Sequence, residues 1–446
     1  MRRILGTFSA PSAIGAERAA RRADHVIAMC HALLSRRGEV SGTRLATEVL
    51  AAYQALEPAA LNAFFDALAD QLLPDPEHVT RATDAYRRQP SAATLRELQT
   101  AVESPRHELF RRLNLAPGGM NALIEMRRQV LTTLEAHPSR RGIDLDLAHL
   151  FRTWFNGGFL VLRRIQWKTS AVVLERLIQL EAVHQIQGWN DLRRRLEADR
   201  RCYAFFHPAL PDEPLIFIEV ALTRGMSANV QPLLKPDSTV TDPERANCAI
   251  FYSITNCVPG LRGVSFGNLL IKQVVEDLKT SFPKLSTFAT LSPIPEFRKW
   301  LTGLLESPAR ERLSPEFLAA FKDYTATSVP DSVAETSLVR NELLRLCAYY
   351  LLTANHGKAP LDPVARFHLA NGARLERLNP MGDTSEIGLR RSFGIMANYV
   401  YRLSEVERNH EVYAGEYKVI ASRQVERLAM QAPLATASAE SLKLSR

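Results

Sequence analysis

The sequence lacks the features of several common protein classes. No run of about 18 apolar residues occurs, so a membrane-spanning helix is not expected. The five cysteines are scattered and no two have the C-x2-C spacing of a metal or redox site, which indicates a reducing compartment. Neither H-E-x-x-H nor C-x-x-C-H occurs among the eleven histidines. We therefore expect no metal ion held by a local motif.

Charge and composition indicate a globular protein with anionic partners. The chain has 446 residues, 46% of them hydrophobic and 23% charged, which is close to the globular average and long enough for two or three domains. Fifty-six Lys and Arg against 48 Asp and Glu give a net charge of +8. This excess favours anionic ligands. Basic and aromatic residues are not interleaved, so we expect no nucleic-acid partner. Because no long apolar run occurs, we also expect no membrane partner.

The first third of the chain shows helical periodicity. Between Pro58 and residue 72 the apolar residues, including Leu61, Phe65 and Leu68, recur at three- and four-residue steps, and proline suits a first helical turn. Similar segments follow Ser91 and Gly118. The pattern predicts an all-helical bundle domain over residues 1–150 without a catalytic motif, typical of a scaffold or an oligomerisation domain.

Short β-rich segments replace this periodicity after residue 157. Apolar runs at 159–162, 202–206, 215–222, 249–254 and 285–291 predict strands, and residues 266–280 have one apolar face and predict a helix. Residues 151–446 are therefore expected to form a second domain, a mixed β-sheet with flanking helices. The fold class is α+β.

A candidate anion site lies between the predicted strand at 249–254 and the helix that follows it. Gly260, Gly263 and Gly267 allow close approach to the backbone, Arg262 adds a cation, and helix N-termini attract anions. Glycines in such turns are common and can serve the backbone alone. The loop matches neither G-x-x-x-x-G-K-[ST] nor G-x-G-x-x-G, which argues against nucleoside triphosphates and dinucleotides.

Three further segments contain candidates for chemistry, each with a structural alternative. Ser292 stands where a strand ends before a proline-rich turn, although a serine there is also an ordinary helix N-cap. His368 lies between apolar neighbours before an Asn-Gly turn and can be a structural histidine or, with an ordinary pKa of ~6.5, an acid–base group. Tyr399 and Tyr401 alternate with apolar residues on a predicted strand within 393–401, and a buried tyrosine hydroxyl needs a partner whatever its role.

Four stretches resemble the malonyl-CoA decarboxylase family. They are FYSITNCVPGLRGVSFGNLLIK (251–272), FATLSPIPEFRKWL (288–301), ARFHLANGARLERLNP (365–380) and ANYVY (397–401). The resemblance implies a catalytic domain of the GNAT acyltransferase fold over residues 151–446 and an oligomerisation domain before it. It implies a catalytic pair, Ser292 and His368, supported by Tyr401. It also implies a site for the coenzyme A of malonyl-CoA formed by Arg262, Gly263, Val264, Ser265, Phe266, Gly267 and Asn268.

The reaction implied by this resemblance converts malonyl-CoA into acetyl-CoA and CO2 without a metal or another cofactor. The alternative is a GNAT-type acyltransferase that passes an acyl group from coenzyme A to an amine, because a fold does not fix a reaction. A helical adaptor or a nucleic-acid binder rests on the positive charge alone. We expect a homo-oligomer, a dimer or a tetramer, in a bacterial cytoplasm, with the mitochondrial matrix as the alternative location.

Overall fold

A computed structural model of the chain describes residues 13–35, 39–264, 270–326 and 333–435. The chain divides into two compact units. The first comprises Met1–Leu160, His207–Pro211 and Val258–Phe266, and the second comprises Val161–Phe206, Asp212–Cys257 and Gly267–Arg446. Among the described residues, no helix is both long enough and apolar enough to span a membrane.

The first unit is helical. Its helices are α1 Ala13–Ser35, α2 Glu39–Gln54, α3 Pro58–Gln71, α4 Pro76–Arg88, α5 Ala92–Val102, α6 Pro105–Asn114, α7 Gly119–Thr133 and α8 Arg141–Trp154. Pro58, Pro76 and Pro105 each stand in a first turn, where the missing N–H costs no hydrogen bond. Asp75 and Ser104 cap two of these helices by accepting a hydrogen bond from a backbone N–H group.

The core of the helical unit contains aromatic rings and a buried arginine. Tyr53 and Phe65 both contact Phe64, with ring centroids 5.4 and 5.8 Å apart. Arg140 is fully buried, and its guanidinium lies 5.6 Å from the centre of the Phe65 ring. Its Nε donates a hydrogen bond of 2.9 Å to Asp66 of α3. The ion pair compensates the burial of the charge and holds the start of α8 against α3.

The second unit is a sheet with flanking helices. Its strands are β1 Val161–Ile165, β2 Arg200–Phe206, β3 Ile216–Thr223, β4 Cys248–Asn256, β5 Thr287–Thr290, β6 Ser292–Pro293, β7 Asn355–His356, β8 Ala359–Pro360, β9 Arg374–Asn379 and β10 Met396–Val400. Its helices are α9 Ala171–Leu180, α10 Trp189–Arg195, α11 Gln231–Leu234, α12 Leu270–Ser281, α13 Phe297–Leu305, α14 Pro315–Ala326, α15 Val333–Thr353, α16 Pro363–Ala370, α17 Glu386–Ser392, α18 Val406–Glu416 and α19 Arg423–Met430.

Eight of the strands form one mixed sheet in the order β1-β2-β3-β4-β5-β10-β6, with β9 also paired to β10. The strands from β1 to β4 are antiparallel neighbours, whereas β4 and β5 are parallel and are joined through α12. Strand β10 runs antiparallel to β5, β6 and β9. The two-residue strand β6 begins at Ser292, opposite Ala397. Ser292 is therefore part of the sheet.

The predicted architecture, a helical region followed by a mixed sheet with flanking helices, is confirmed. Two local predictions need correction. The strand predicted at 159–162 begins at Val161, because Gly157–Phe159 forms a 3-10 turn. The strand predicted at 285–291 is shorter, Thr287–Thr290. Residues 266–269 of the predicted helix lie outside the described residues. The domain boundary at residue 150 and the oligomerisation role stay predictions.

Close packing at the start of α7 gives a stability prediction. A Cβ atom at Gly119 would lie 2.1 Å from the carbonyl oxygen of Leu113, whereas nothing lies within 4 Å of a Cβ at Gly42 in α2. Gly119→Ala should lower the free energy of unfolding by about 1–3 kcal/mol, while Gly42→Ala should raise it by roughly 0.5–1 kcal/mol. Urea unfolding of both variants measures this difference. Equal midpoints would contradict the packing described for α7.

Candidate active site

Three side chains from different parts of the sequence meet in the second unit. The Nε2 atom of His368 lies 2.9 Å from Oγ of Ser292, which is 76 residues away in sequence. Its Nδ1 atom lies 2.8 Å from the hydroxyl oxygen of Tyr401, 33 residues away. All three side chains are buried. The structure thus brings together the three residues that the sequence proposed for chemistry.

Ser292 is held by strand pairing. Thr290 is the last residue of β5 and Ser292 is the first residue of β6. Because the two residues are two positions apart in extended chain, their side chains lie on the same face of the sheet. The next helix, α13, begins only at Phe297 and has Glu296 as its N-cap. The alternative interpretation of Ser292 as a helix N-cap is therefore wrong.

His368 stands in the last turn of α16, and both ends of this helix are fixed. At the start, the carboxylate of Asp362 accepts hydrogen bonds from two backbone N–H groups of the first turn. Beyond the end, Gly372 adopts a φ of +77°, and a Cβ there would lie 2.1 Å from the carbonyl oxygen of Val406. Only glycine fits this position. Asp362 and Gly372 thus define the two ends of the helix that carries His368.

Burial sets the protonation states of the site. Removal from water lowers the pKa of His368 to about 3, because it disfavours the charged imidazolium. The ring also lies face to face with Tyr399, 4.6 Å between centroids. Burial holds the pKa of Tyr401 well above its usual range. The expectation of an ordinary pKa of ~6.5 for His368 is therefore wrong, and the imidazole is neutral at neutral pH.

Two polar residues of this site were missed by sequence reasoning. Ser292 Oγ donates a hydrogen bond of 2.8 Å to Oγ1 of Thr290. The side chain of Asn398 donates a bond of 2.6 Å to the backbone oxygen of Thr290. The two-residue spacing of Thr290 and Ser292 before a turn was the available signal. The signal for Asn398 was an asparagine inside the apolar strand 396–400.

Part of the predicted coenzyme A loop belongs to the first unit. Arg262 is exposed, Gly263 has a φ of +77° and Val264 is buried. The backbone N–H groups of Arg262 and Val264 donate hydrogen bonds within the turn, to the carbonyl oxygens of Pro259 and Leu261. These two amides are thus engaged by the protein itself. Ser265, Phe266, Gly267 and Asn268 lie outside the described residues.

The start of this loop is anchored on α7. A Cβ at Gly260 would lie 2.2 Å from the carbonyl oxygen of Ile124, so the loop backbone touches the helix directly. Arg127 donates a hydrogen bond of 2.8 Å from Nη1 to the carbonyl oxygen of Gly260. The Nε atom of the same arginine bonds Asp144, also at 2.8 Å. This double contact fixes the turn that carries Arg262.

The arrangement in the second unit suits proton transfer between neutral groups. Hydroxyl groups and a neutral imidazole can donate hydrogen bonds to a developing oxyanion and can pass one proton along the chain. Among the residues that the structure describes, no three His, Cys, Asp or Glu side chains are placed to hold one metal ion. The geometry therefore supports acid–base chemistry by Ser292, His368 and Tyr401.

Comparisons with known proteins agree with one another. The family model of the malonyl-CoA decarboxylase C-terminal domain matches residues 158–440, and that of the N-terminal domain matches residues 72–155. The mitochondrial malonyl-CoA decarboxylase of Anser anser anser is 39% identical over 347 residues, which are 72% of this chain and 69% of that protein. The chain belongs to the malonyl-CoA decarboxylase family.

Solved structures support the same family. The crystal structure of malonyl-CoA decarboxylase from Rhodopseudomonas palustris has a TM-score of 0.87 and 47% identity, and the match covers 91% of this chain and 99% of that one. The structure from Agrobacterium vitis has a TM-score of 0.85 and 44% identity with the same coverage. The C-terminal family model spans Ser292, His368, Tyr401 and the loop 262–268. The family match therefore includes every candidate site residue.

The low pKa of His368 gives a direct prediction. Because a pKa of about 3 keeps the imidazole in its neutral form above that pH, the ring signals of His368 should not shift between pH 8 and pH 5. The measurement is a nuclear magnetic resonance titration of protein labelled at its histidines. Loss of the signals in His368→Asn assigns them. A titration midpoint near 6.5 would show that the ring is accessible to water.

Proposed function

We propose that this protein is a malonyl-CoA decarboxylase, which converts malonyl-CoA into acetyl-CoA and CO2. Membership of the family supports the reaction. The observation that carries the mechanism is the buried chain of hydrogen bonds from Tyr401 through His368 to Ser292. All three groups are neutral hydrogen-bonding groups with buried side chains, and burial strengthens electrostatic interactions.

The neutral state of His368 suits decarboxylation. When CO2 leaves the malonyl group, the negative charge moves from the carboxylate to the thioester oxygen and the α-carbon. A cation beside the carboxylate would stabilise the starting state and oppose this movement. Ser292 and a neutral His368 avoid that, and the hydroxyl of Ser292 can donate a hydrogen bond to the thioester oxygen as the enolate forms.

The proton that the α-carbon needs is supplied along the same chain of hydrogen bonds. Ser292 gives its hydroxyl proton to the carbon of the enolate and takes the Nε2 proton of His368. His368 takes the proton of Tyr401 at Nδ1. After the product leaves, the Nδ1 proton returns to Tyr401 and one proton from solvent is taken up at Nε2, which restores the starting state. The net reaction consumes one proton, as loss of CO2 from a carboxylate requires. Because the buried Tyr401 phenol has a raised pKa, it keeps its proton until the strongly basic enolate withdraws it.

Coenzyme A is proposed to bind along the loop 262–268. The ligand carries several negative charges, and the exposed cation of Arg262 and the net charge of +8 have the complementary sign. The left-handed backbone of Gly263 exposes the main chain at the point where a phosphate can approach. The proposal thus assigns binding of coenzyme A to the loop 262–268 and chemistry on the malonyl group to Ser292, His368 and Tyr401.

Substitution of the catalytic pair tests the mechanism. Ser292→Ala and His368→Asn should each lower kcat on the order of 10² to 10⁴-fold while KM for malonyl-CoA changes little. Tyr401→Phe removes only the distal hydroxyl and should have a smaller effect. The assay follows CO2 and acetyl-CoA from malonyl-CoA without an amine acceptor. Near-normal turnover of His368→Asn would return this histidine to a structural role, and absence of CO2 release by the unmodified protein would favour the acyltransferase alternative.

Substitution in the loop tests the assignment of coenzyme A binding. Gly263→Val places a β-branched side chain at a φ of +77° and should raise KM for malonyl-CoA about tenfold, more than Arg262→Ala does. Gly225→Val is the matched control, because Gly225 has a φ of +81° and equally open surroundings but lies outside the predicted loop. Equal KM values for the two glycine variants would place the coenzyme A site elsewhere.

A further inference from the structure

Thr290 forms a hydrogen bond with Ser292, at one end of the chain of hydrogen bonds that runs from Tyr401 through His368 to Ser292. The side chain is fully buried, and its Oγ1 atom accepts the hydroxyl proton of Ser292 at 2.8 Å. The same oxygen accepts the backbone N–H of Tyr399 at 3.1 Å. Asn398 binds the carbonyl oxygen of Thr290 at 2.6 Å. Thr290 is therefore held from two sides with its oxygen directed at Ser292.

The position of this acceptor decides where the proton of His368 resides. A neutral imidazole carries one N–H, so one ring nitrogen donates and the other accepts. If Ser292 donates to Thr290, its oxygen is free to accept from Nε2–H, and Nδ1 must then accept from the hydroxyl of Tyr401. If Ser292 instead donated to Nε2, the proton would sit on Nδ1 and would be donated to Tyr401.

The geometry selects the first arrangement, since Ser292 is the donor in its bond with Thr290. We propose that Thr290 is a positioning residue that sets the Nε2–H tautomer of His368. All protons of the chain then point in one direction, from Tyr401 to His368, from His368 to Ser292 and from Ser292 to Thr290.

This direction matters for the reaction, and here the inference rests on the proposed function. When substrate replaces Thr290 as the acceptor of the Ser292 hydroxyl, Ser292 can protonate the α-carbon. With the Nε2–H tautomer, a proton already lies between His368 and Ser292 and can follow to Ser292. With the opposite tautomer, Nε2 has no proton to return to Ser292, and the ring would first have to exchange its protons. Thr290 thus prepares the pair to deliver a proton without touching the substrate itself.

The test is a direct measurement of the tautomer without substrate. Long-range ¹H–¹⁵N spectra of histidine-labelled protein distinguish a protonated from an unprotonated ring nitrogen, and His368→Asn assigns the signals. The unmodified protein should show the Nε2–H form. Thr290→Val keeps the shape of the side chain but removes the acceptor, and it should shift His368 to the Nδ1–H form. Thr290→Ser is the matched control, because it restores an acceptor, and it should keep Nε2–H.

Activity provides a second readout. Thr290→Val should lower kcat for malonyl-CoA on the order of 10- to 100-fold with KM little changed, and Thr290→Ser should recover most of the loss. The inference is overturned by an Nδ1–H form in the unmodified protein, or by an unchanged Nε2–H form in Thr290→Val. If Thr290→Val does not fold, Thr290→Ala takes its place and the unmodified protein still decides the tautomer.

The two proposals fail separately. The tautomer is read in the absence of malonyl-CoA, so a protein that shows the predicted change in Thr290→Val but releases no CO2 contradicts the proposed function and not the role of Thr290. Conversely, normal CO2 release with an Nδ1–H ring contradicts only the role of Thr290.

Discussion

The central constraint on the candidate active site is that both ring nitrogens of the buried His368 need a hydrogen-bonding partner. Each ring nitrogen of this buried side chain is satisfied by a residue from a different element, Ser292 of β6 and Tyr401 after β10. An unpaired nitrogen there would cost about 1–3 kcal/mol. The short strand β6, the order β5-β10-β6 and the fixed ends of α16 all serve this single arrangement.

The same burial gives the site its chemical character. An exposed histidine would be partly cationic near neutral pH, and it would bind the malonyl carboxylate where the reaction needs that charge to leave. Burial lowers the pKa of His368 to about 3 and removes the cation. The positive charges that attract the substrate are then proposed to act on the coenzyme A phosphates, at Arg262, and not on the reacting group. In this proposal the cation that attracts the substrate and the neutral groups that act on it are separate residues, because a cation at the reacting group would oppose loss of CO2.

The sequence predicted much of this fold because its signals are local. The prolines at helix starts, the periodicity of α3 and the apolar runs of β2, β3 and β4 depend on neighbours a few residues away. The pairing of Ser292 with His368 came from a family resemblance, since each residue alone had a commoner structural interpretation. The pKa of His368 could not be predicted, because it depends on burial by elements far apart in sequence. The role of Thr290 needed the direction of one hydrogen bond.

The parallel pairing of β4 and β5 brings the carboxyl ends of two strands to one edge of the sheet. Parallel neighbours end at the same edge of a sheet, and Phe251 of β4 lies beside Thr290 of β5. Strand β4 leads into the loop proposed to hold coenzyme A, and β5 leads directly to Ser292. The crossover through α12 is what makes the two strands parallel, because an antiparallel hairpin would send their ends to opposite edges.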